Sequence, residues 1–150
     1  MKVISFDSVS LAAILAGSKT MTRRPLGHKE RWHVGDEAWV KTTWIDEHGK
    51  KQPAMFCPRR CSPFSIGITE HRIERLRAIT AEDVEREGID VVSHLPLCPD
   101  ILTIEQLIEM TAWRLFEERW DSIYGKTPSK RWVDNPLVEV LTFEMMLEDK

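Results

Sequence analysis

Lys19, Thr20, Thr22, Arg23 and Arg24 crowd into one short stretch, Gly17-Ser18-Lys19-Thr20-Met21-Thr22-Arg23-Arg24. A lysine and a threonine three residues apart, backed by paired arginines, suit a site that handles an anion or a polar carbonyl. A threonine hydroxyl can attack a carbonyl or hold the water that does so. A lysine serves as base only where burial or positive neighbours lower its pKa, and Arg23 and Arg24 are such neighbours. The planar forks of the two arginines also suit a phosphate. Salt bridges to the chain's many acids are the structural alternative.

The preceding residues must hold this stretch in place. Val3, Ile4 and Phe6 read as a first strand, and Asp7 or Ser8 as the cap of a helix. The run Val9 to Ala16 is apolar almost all round, which predicts a buried helix, and Gly17 sits where a helix end favours a left-handed residue. In a straight strand residues 19 and 22 point to opposite faces. Lys19 and Thr22 therefore converge only if the chain turns between them, and that turn is expected.

The 150-residue chain has 42% hydrophobic and 30% charged residues, as expected for one globular domain. No apolar run approaches the ~20 residues that span a bilayer, and the start lacks the pattern of a signal peptide. The expected location is the cytoplasm. A net charge of −3 argues against broad binding to a phosphate backbone. Positive charge nevertheless gathers between residues 19 and 33, where Lys19, Arg23, Arg24, His28, Lys29, Arg31 and His33 face a single acid, Glu30. Either an anion-friendly face or a solvated loop fits that asymmetry. Cys57 and Cys61 are spaced C-x3-C; Cys98 and His71 would complete four ligands on paper. The spacing matches no common zinc hairpin, so free thiols and no metal are expected.

Further along, residues 37–44 predict a strand carrying Trp39 and Trp44. On such a strand the two indoles point to opposite faces. Core packing is the simpler reading of both, a base-stacking platform the other. A long strand is expected over 65–76 with Gly67 as a bulge. Thr80-Ala81-Glu82-Asp83 and Thr103-Ile104-Glu105-Gln106 are capping-box patterns. The first opens a short helix ended by Gly88, the second a longer one ended by Gly125. Trp113, Trp120 and Trp132 read as packing residues. Residues 137–143 predict the last strand. Strands and helices mix without regular alternation, which predicts an α+β fold of several antiparallel strands, a small β-barrel with peripheral helices.

The ordered pattern resembles the ASCH domain, in its phage and prophage version. It comprises Gly17-x-Lys19-Thr20-x-Thr22-Arg23-Arg24, Gly35-Asp36-x-x-Trp39-Val40, Arg72-Ile73-Glu74-Arg75-Leu76, Ile79-Thr80-x-Glu82-Asp83, Glu87-Gly88-Ile89, Trp120-Asp121-Ser122-Ile123-Tyr124-Gly125 and Asn135-Pro136. The resemblance covers nearly the whole chain. It implies a PUA-like β-barrel, one domain over 1–150 with a helical insertion around 92–123, and a cleft for RNA or a modified nucleoside. Thr20, Arg23, Arg24, Trp39 and Trp44 are the expected ligand contacts. Some relatives are amidohydrolases that remove the acetyl group of 4-acetylcytidine, and others are reported as ribonucleases. The lysine, threonine and glutamate of the amidohydrolase branch match Lys19, Thr22 and Glu87, without a cofactor. At the end of a short helix Glu87 would meet a dipole that disfavours its charge, while a nearby Lys19 would favour it.

The chain also departs from the family pattern. Thr42 stands where phage-type relatives often carry an acid, Leu137 follows Asn-Pro in place of a tryptophan, and residues 92–115 exceed the compact amidohydrolase branch. Three functions follow as expectations: binding of RNA or a modified nucleoside, deacylation of such a nucleoside, or docking of a protein as a phage accessory module. Nucleosides or short RNA are expected over long duplex DNA, because one basic loop neutralises few phosphates.

Overall fold

The structure, a computed structural model, describes residues 1–96 and 102–146; Cys98 lies outside the described residues. Strand β1 (Lys2–Ser5) leads directly into helix α1 (Ser8–Leu15). The Asp7 carboxylate accepts the Ser10 amide at 2.8 Å, occupying a donor that the helix start leaves free. Gly17 ends the segment at φ +81°. The helix is not buried as its composition predicts. Only Ser10 and Ile14 are inside, while Val9 and Leu15 are exposed. A short helix that packs Ile14 and Leu11 on one core cluster covers one side only, whatever its composition.

Strand β2 (Met21–Pro25) follows, then β3 (Glu37–Lys41). The strand expected over 37–44 stops at Lys41. Its partner β1 ends there, with Ser5 opposite Lys41, and the neighbour on its other side pairs only as far as Trp39. Trp44 instead starts β4 (Trp44–Ile45), which forms a hairpin with β5 (Lys51–Gln52). Two long antiparallel strands, β6 (Ser65–Arg75) and β7 (Leu137–Met146), form the centre of the sheet. The irregularity in β6 lies between Ile68 and Glu70, not at Gly67, which stays in register with Glu144 and Glu37.

The sheet order is β1-β3-β6-β7-β2. Its outer pair β1 and β3 is parallel, where only antiparallel strands were expected, because α1 and β2 intervene between them. The result is a mixed α+β fold with a five-stranded sheet. Among the described residues no backbone ladder joins β1 to β2. Instead the Arg24 guanidinium of β2 reaches the Ser5 carbonyl of β1 at 2.8 Å, so the sheet curls until one side chain spans its two edges.

Helix α2 (Ala81–Arg86) is capped by Thr80, whose hydroxyl accepts the Asp83 amide at 3.1 Å. Helix α3 (Ile104–Tyr124) carries both halves of the Thr103–Gln106 capping box. It packs on α2. Two hydrophobic clusters result. One lies around Ile4, Phe6, Val40, Ile66 and Phe143; the other joins Met21, Val84, Phe116, Trp120 and Val140 under the two helices. No described helix is long and apolar enough to cross a membrane.

Candidate functional site

A cleft of about 350 Å³ opens where the two clusters meet, with Phe6 from one and Phe116 and Trp120 from the other in its walls. Its polar floor comes from the Gly17–Arg24 stretch and the end of α2. Lys19 stands just before β2 and forms an isolated antiparallel bridge with Glu87. The Thr20 amide donates to the Arg86 carbonyl at 2.8 Å, and the Thr20 carbonyl accepts the Phe143 amide at 3.0 Å. The segment thus leaves α2 at Thr20 and joins β7, and Lys19 and Thr22 line one cleft.

The Lys19 ammonium is fully engaged. It donates to the Met21 carbonyl at 2.9 Å, the Glu87 carbonyl at 3.1 Å and Glu87 Oε2 at 3.0 Å. Lys19 is 4% exposed and Glu87 7%. Burial pushes the Lys19 pKa below the lysine range; Glu87 opposes this by charge and hydrogen bond, and Arg24 and Arg119 add to it. The Phe6 ring carries two cations, with Lys19 Nζ 5.9 Å and the Arg24 guanidinium carbon 5.1 Å from its centroid.

Glu87 also accepts from Arg23 Nη1, at 3.4 Å. Arg23 is wholly buried and turns to the acids: Nη2 lies 2.6 Å from Glu74 and 2.9 Å from Asp83. Arg72 closes the array, 2.8 Å from Asp83 and 3.1 Å from Glu74. Charges inside a protein persist only when matched in this way. Burial disfavours the Glu74 carboxylate, but hydrogen bonds from Arg72 and Arg23 and their charges hold its pKa below the usual range. Of the arginine pair expected to clamp an anion, Arg23 therefore has its charge matched inside the fold.

Arg24 differs. It is half-buried, and among the described residues it forms no ion pair. Among the described residues its Nε is buried without a partner. It lines the first cleft and also a second, of about 630 Å³, so the two meet at Ser5, Arg24 and Tyr124. Basic side chains dominate the second cleft: Arg24, His28, Lys29, Arg31 and Lys130, against one carboxylate, Glu139. Glu139 is 2% exposed and is taken up by the Arg31 amide at 2.9 Å, the Trp32 amide at 3.1 Å and the His71 ring at 3.1 Å.

Thr22 is 5% exposed and lines the first cleft; among the described residues its hydroxyl makes no hydrogen bond to protein. Thr20, Trp39 and Trp44 line neither cleft. Trp39 lies beside Lys41, with Nζ 5.5 Å from the ring centroid. Trp44 belongs to the small hairpin, its indole N–H buried without a partner among the described residues. The aromatic wall comes instead from α3, where Trp120 and Tyr124 lie 4.4 Å apart between ring centroids. Arg119 of the same helix donates to Ser10 Oγ at 2.6 Å and lies 3.3 Å from Asp7, tying α3 to α1 across the cleft. Sequence reasoning missed Phe6, Ser10, Arg119 and Tyr124; Trp120, read as a packing residue, does belong to the core and also borders the cleft. The available signal was the spacing Phe116, Trp120, Tyr124, one helical face of aromatics that ends at a glycine. Among the described residues no group of three or more His, Cys, Asp and Glu is placed to hold a metal ion.

No family model matches the sequence, and no curated protein matches it. Among solved structures, the chain is similar to an ASCH domain from Lactobacillus crispatus, with a TM-score of 0.53 at 13% identity over 92% of this chain and 70% of that one. A protein of Enterococcus faecalis gives a TM-score of 0.47 at 16% identity, over 97% of this chain and 76% of that one. The first likeness is one of fold.

Proposed function

Starting from the fold shared with an ASCH domain, we propose that this chain is a single ASCH-like domain of the phage type. In this reading it binds a nucleoside, alone or within short RNA, in the first cleft, at the mouth of a PUA-like barrel. The observation that carries the reading is the pairing of a half-buried aromatic, Tyr124 backed by the core residue Trp120, with polar groups left open to a ligand, the Thr22 hydroxyl and Arg24. An aromatic face stacks on any base, worth about 1–3 kcal/mol per base. A hydroxyl and a guanidinium would then fix the base's orientation. Calorimetric titration with cytidine, 4-acetylcytidine and a short single-stranded RNA tests this. Saturable binding that weakens in Thr22→Val and Arg24→Ala supports it; no binding of any of the three overturns it.

A second reading rests on the buried Lys19–Glu87 pair with its lowered lysine pKa. Lys19 in its neutral form takes a proton from a water held by Thr22, and the hydroxide adds to the acyl carbonyl. Collapse of the tetrahedral intermediate breaks the C–N bond as the Lys19 ammonium, held by Glu87, returns the proton to the leaving nitrogen. Acetate and cytidine are the products from 4-acetylcytidine, and no metal is needed. Mass spectrometry of a modified-nucleoside panel incubated with the protein distinguishes turnover from binding alone.

A further inference from the structure

We infer that the second cleft is a phosphate subsite, so that the ligand carries a phosphate beside the nucleoside and is not a bare nucleoside. This rests on the nucleoside reading of the first cleft.

The argument begins with the balance of charge. The chain as a whole is acidic, yet the second cleft gathers Arg24, His28, Lys29, Arg31 and Lys130. Among the described residues no carboxylate lies within ion-pairing distance of Arg24, Lys29, Arg31 or Lys130. The one carboxylate in the cleft, Glu139, is buried and already holds two backbone amides and His71. That role makes Glu139 an anchor for the loop at Arg31 and Trp32, which keeps two of the cleft's walls in place. It does not make it a counter-ion for the exposed side chains. The Arg31 guanidinium lies 5.5 Å over the Trp32 ring, leaving its donors open at the rim.

Arg24 is the hinge of the argument. Its Nη2 is held by the Ser5 carbonyl and its carbon lies over Phe6, while its buried Nε lacks a partner among the described residues. That Nε is enclosed, as is the orphaned Nε of Arg23, so it is not what a ligand reaches. The remaining Nη protons of Arg24 have no protein acceptor among the described residues, and a phosphate oxygen is the acceptor that fits a fixed guanidinium best. Because Arg24 lies in both clefts, a phosphate beside it is attached to whatever occupies the first. The shared chemistry is a ribose phosphate, on either the 5′ or the 3′ side.

The test is calorimetry on the full chain with cytidine, cytidine 5′-monophosphate, cytidine 3′-monophosphate and inorganic phosphate, for wild type and the double variant Lys29→Ala/Lys130→Ala. Both lysines are exposed, so the variant folds. The inference expects one monophosphate to bind about tenfold or more tightly than cytidine, its identity naming the side that carries the phosphate. In the double variant the ratio should fall at least threefold, but not to one, because Arg24 and Arg31 remain. Equal affinity for cytidine and both monophosphates overturns the subsite and leaves the nucleoside reading standing, as does a preference that survives undiminished in the double variant. Binding of monophosphates and phosphate but not cytidine, lost in the double variant, supports the subsite and overturns the nucleoside reading. Binding of none of the four overturns both.

Discussion

Lys19 and Glu87 lie 68 residues apart in the chain, yet share a backbone bridge and a buried ion pair of 3.0 Å. The ammonium spends all three protons on Glu87 and Met21, and the carboxylate turns its other oxygen to Arg23. The floor of the first cleft is therefore one electrostatic unit, not a set of separable side chains.

Lys19→Ala should destabilise the protein by about 3 kcal/mol, because a buried carboxylate loses its closest cation. Arg23 remains beside Glu87 and keeps the loss toward the lower end. Denaturant unfolding measures the cost. Under the hydrolase reading the same variant gives no release of acetate from 4-acetylcytidine, and Lys19→Arg does not restore it.

The lysine also sets a pH dependence. Its folded pKa lies below that of the unfolded chain because burial penalises its charge. Between the two values the unfolded state holds the extra proton, so stability rises with pH through that window. The stability difference between wild type and Lys19→Met should thus grow in favour of wild type as pH climbs towards the usual lysine range. A difference that is flat with pH contradicts the burial argument.

Glu74 acts at the other end of the scale. Its pKa is depressed: burial opposes its charge, but Arg72 and Arg23 outweigh that. Its contribution is fully present above the unfolded carboxylate pKa and is lost as pH falls through the lower folded value. The acid limb of a stability–pH curve should be shallower in Glu74→Gln than in wild type.

Gly88 positions both partners of the pair. It adopts φ +93°, and a Cβ there would come within 3.0 Å of the Ala13 and Lys19 β-carbons. Gly88→Ala should cost about 1–2 kcal/mol from the backbone alone, and more from pushing Lys19 away from α1. A thermal melt reads the loss.

Thr22 offers the cleanest separation of fold from function. Its hydroxyl has no protein partner among the described residues, so Thr22→Val should change stability by no more than about 0.5 kcal/mol. If a ligand group fills that vacancy, affinity for cytidine falls about tenfold, the worth of one hydrogen bond.

Much of the local structure was legible in the sequence. Thr80, Thr103 and Gln106 cap their helices as their spacing dictates, and Gly17 and Gly88 take the left-handed conformations their positions require. These features depend on neighbours a few residues away. The resemblance of motifs pointed to Lys19, Thr22 and Glu87 together, and all three line one cleft. What only the tertiary structure decided was where each charge and ring is spent. Arg23 and Arg24 are adjacent and chemically identical, yet one is sealed among Glu74, Asp83 and Glu87 while the other opens between two clefts. Trp39 admits a base-stacking reading and Trp120 reads as packing, yet of the two only the α3 indole borders a cleft. Strand β3 ends at Lys41 because its neighbours stop pairing there, and β1 lies parallel to it. Each of these outcomes follows from which distant segments are brought together, and contacts across a sheet or between a strand and a helix leave no local periodicity to read.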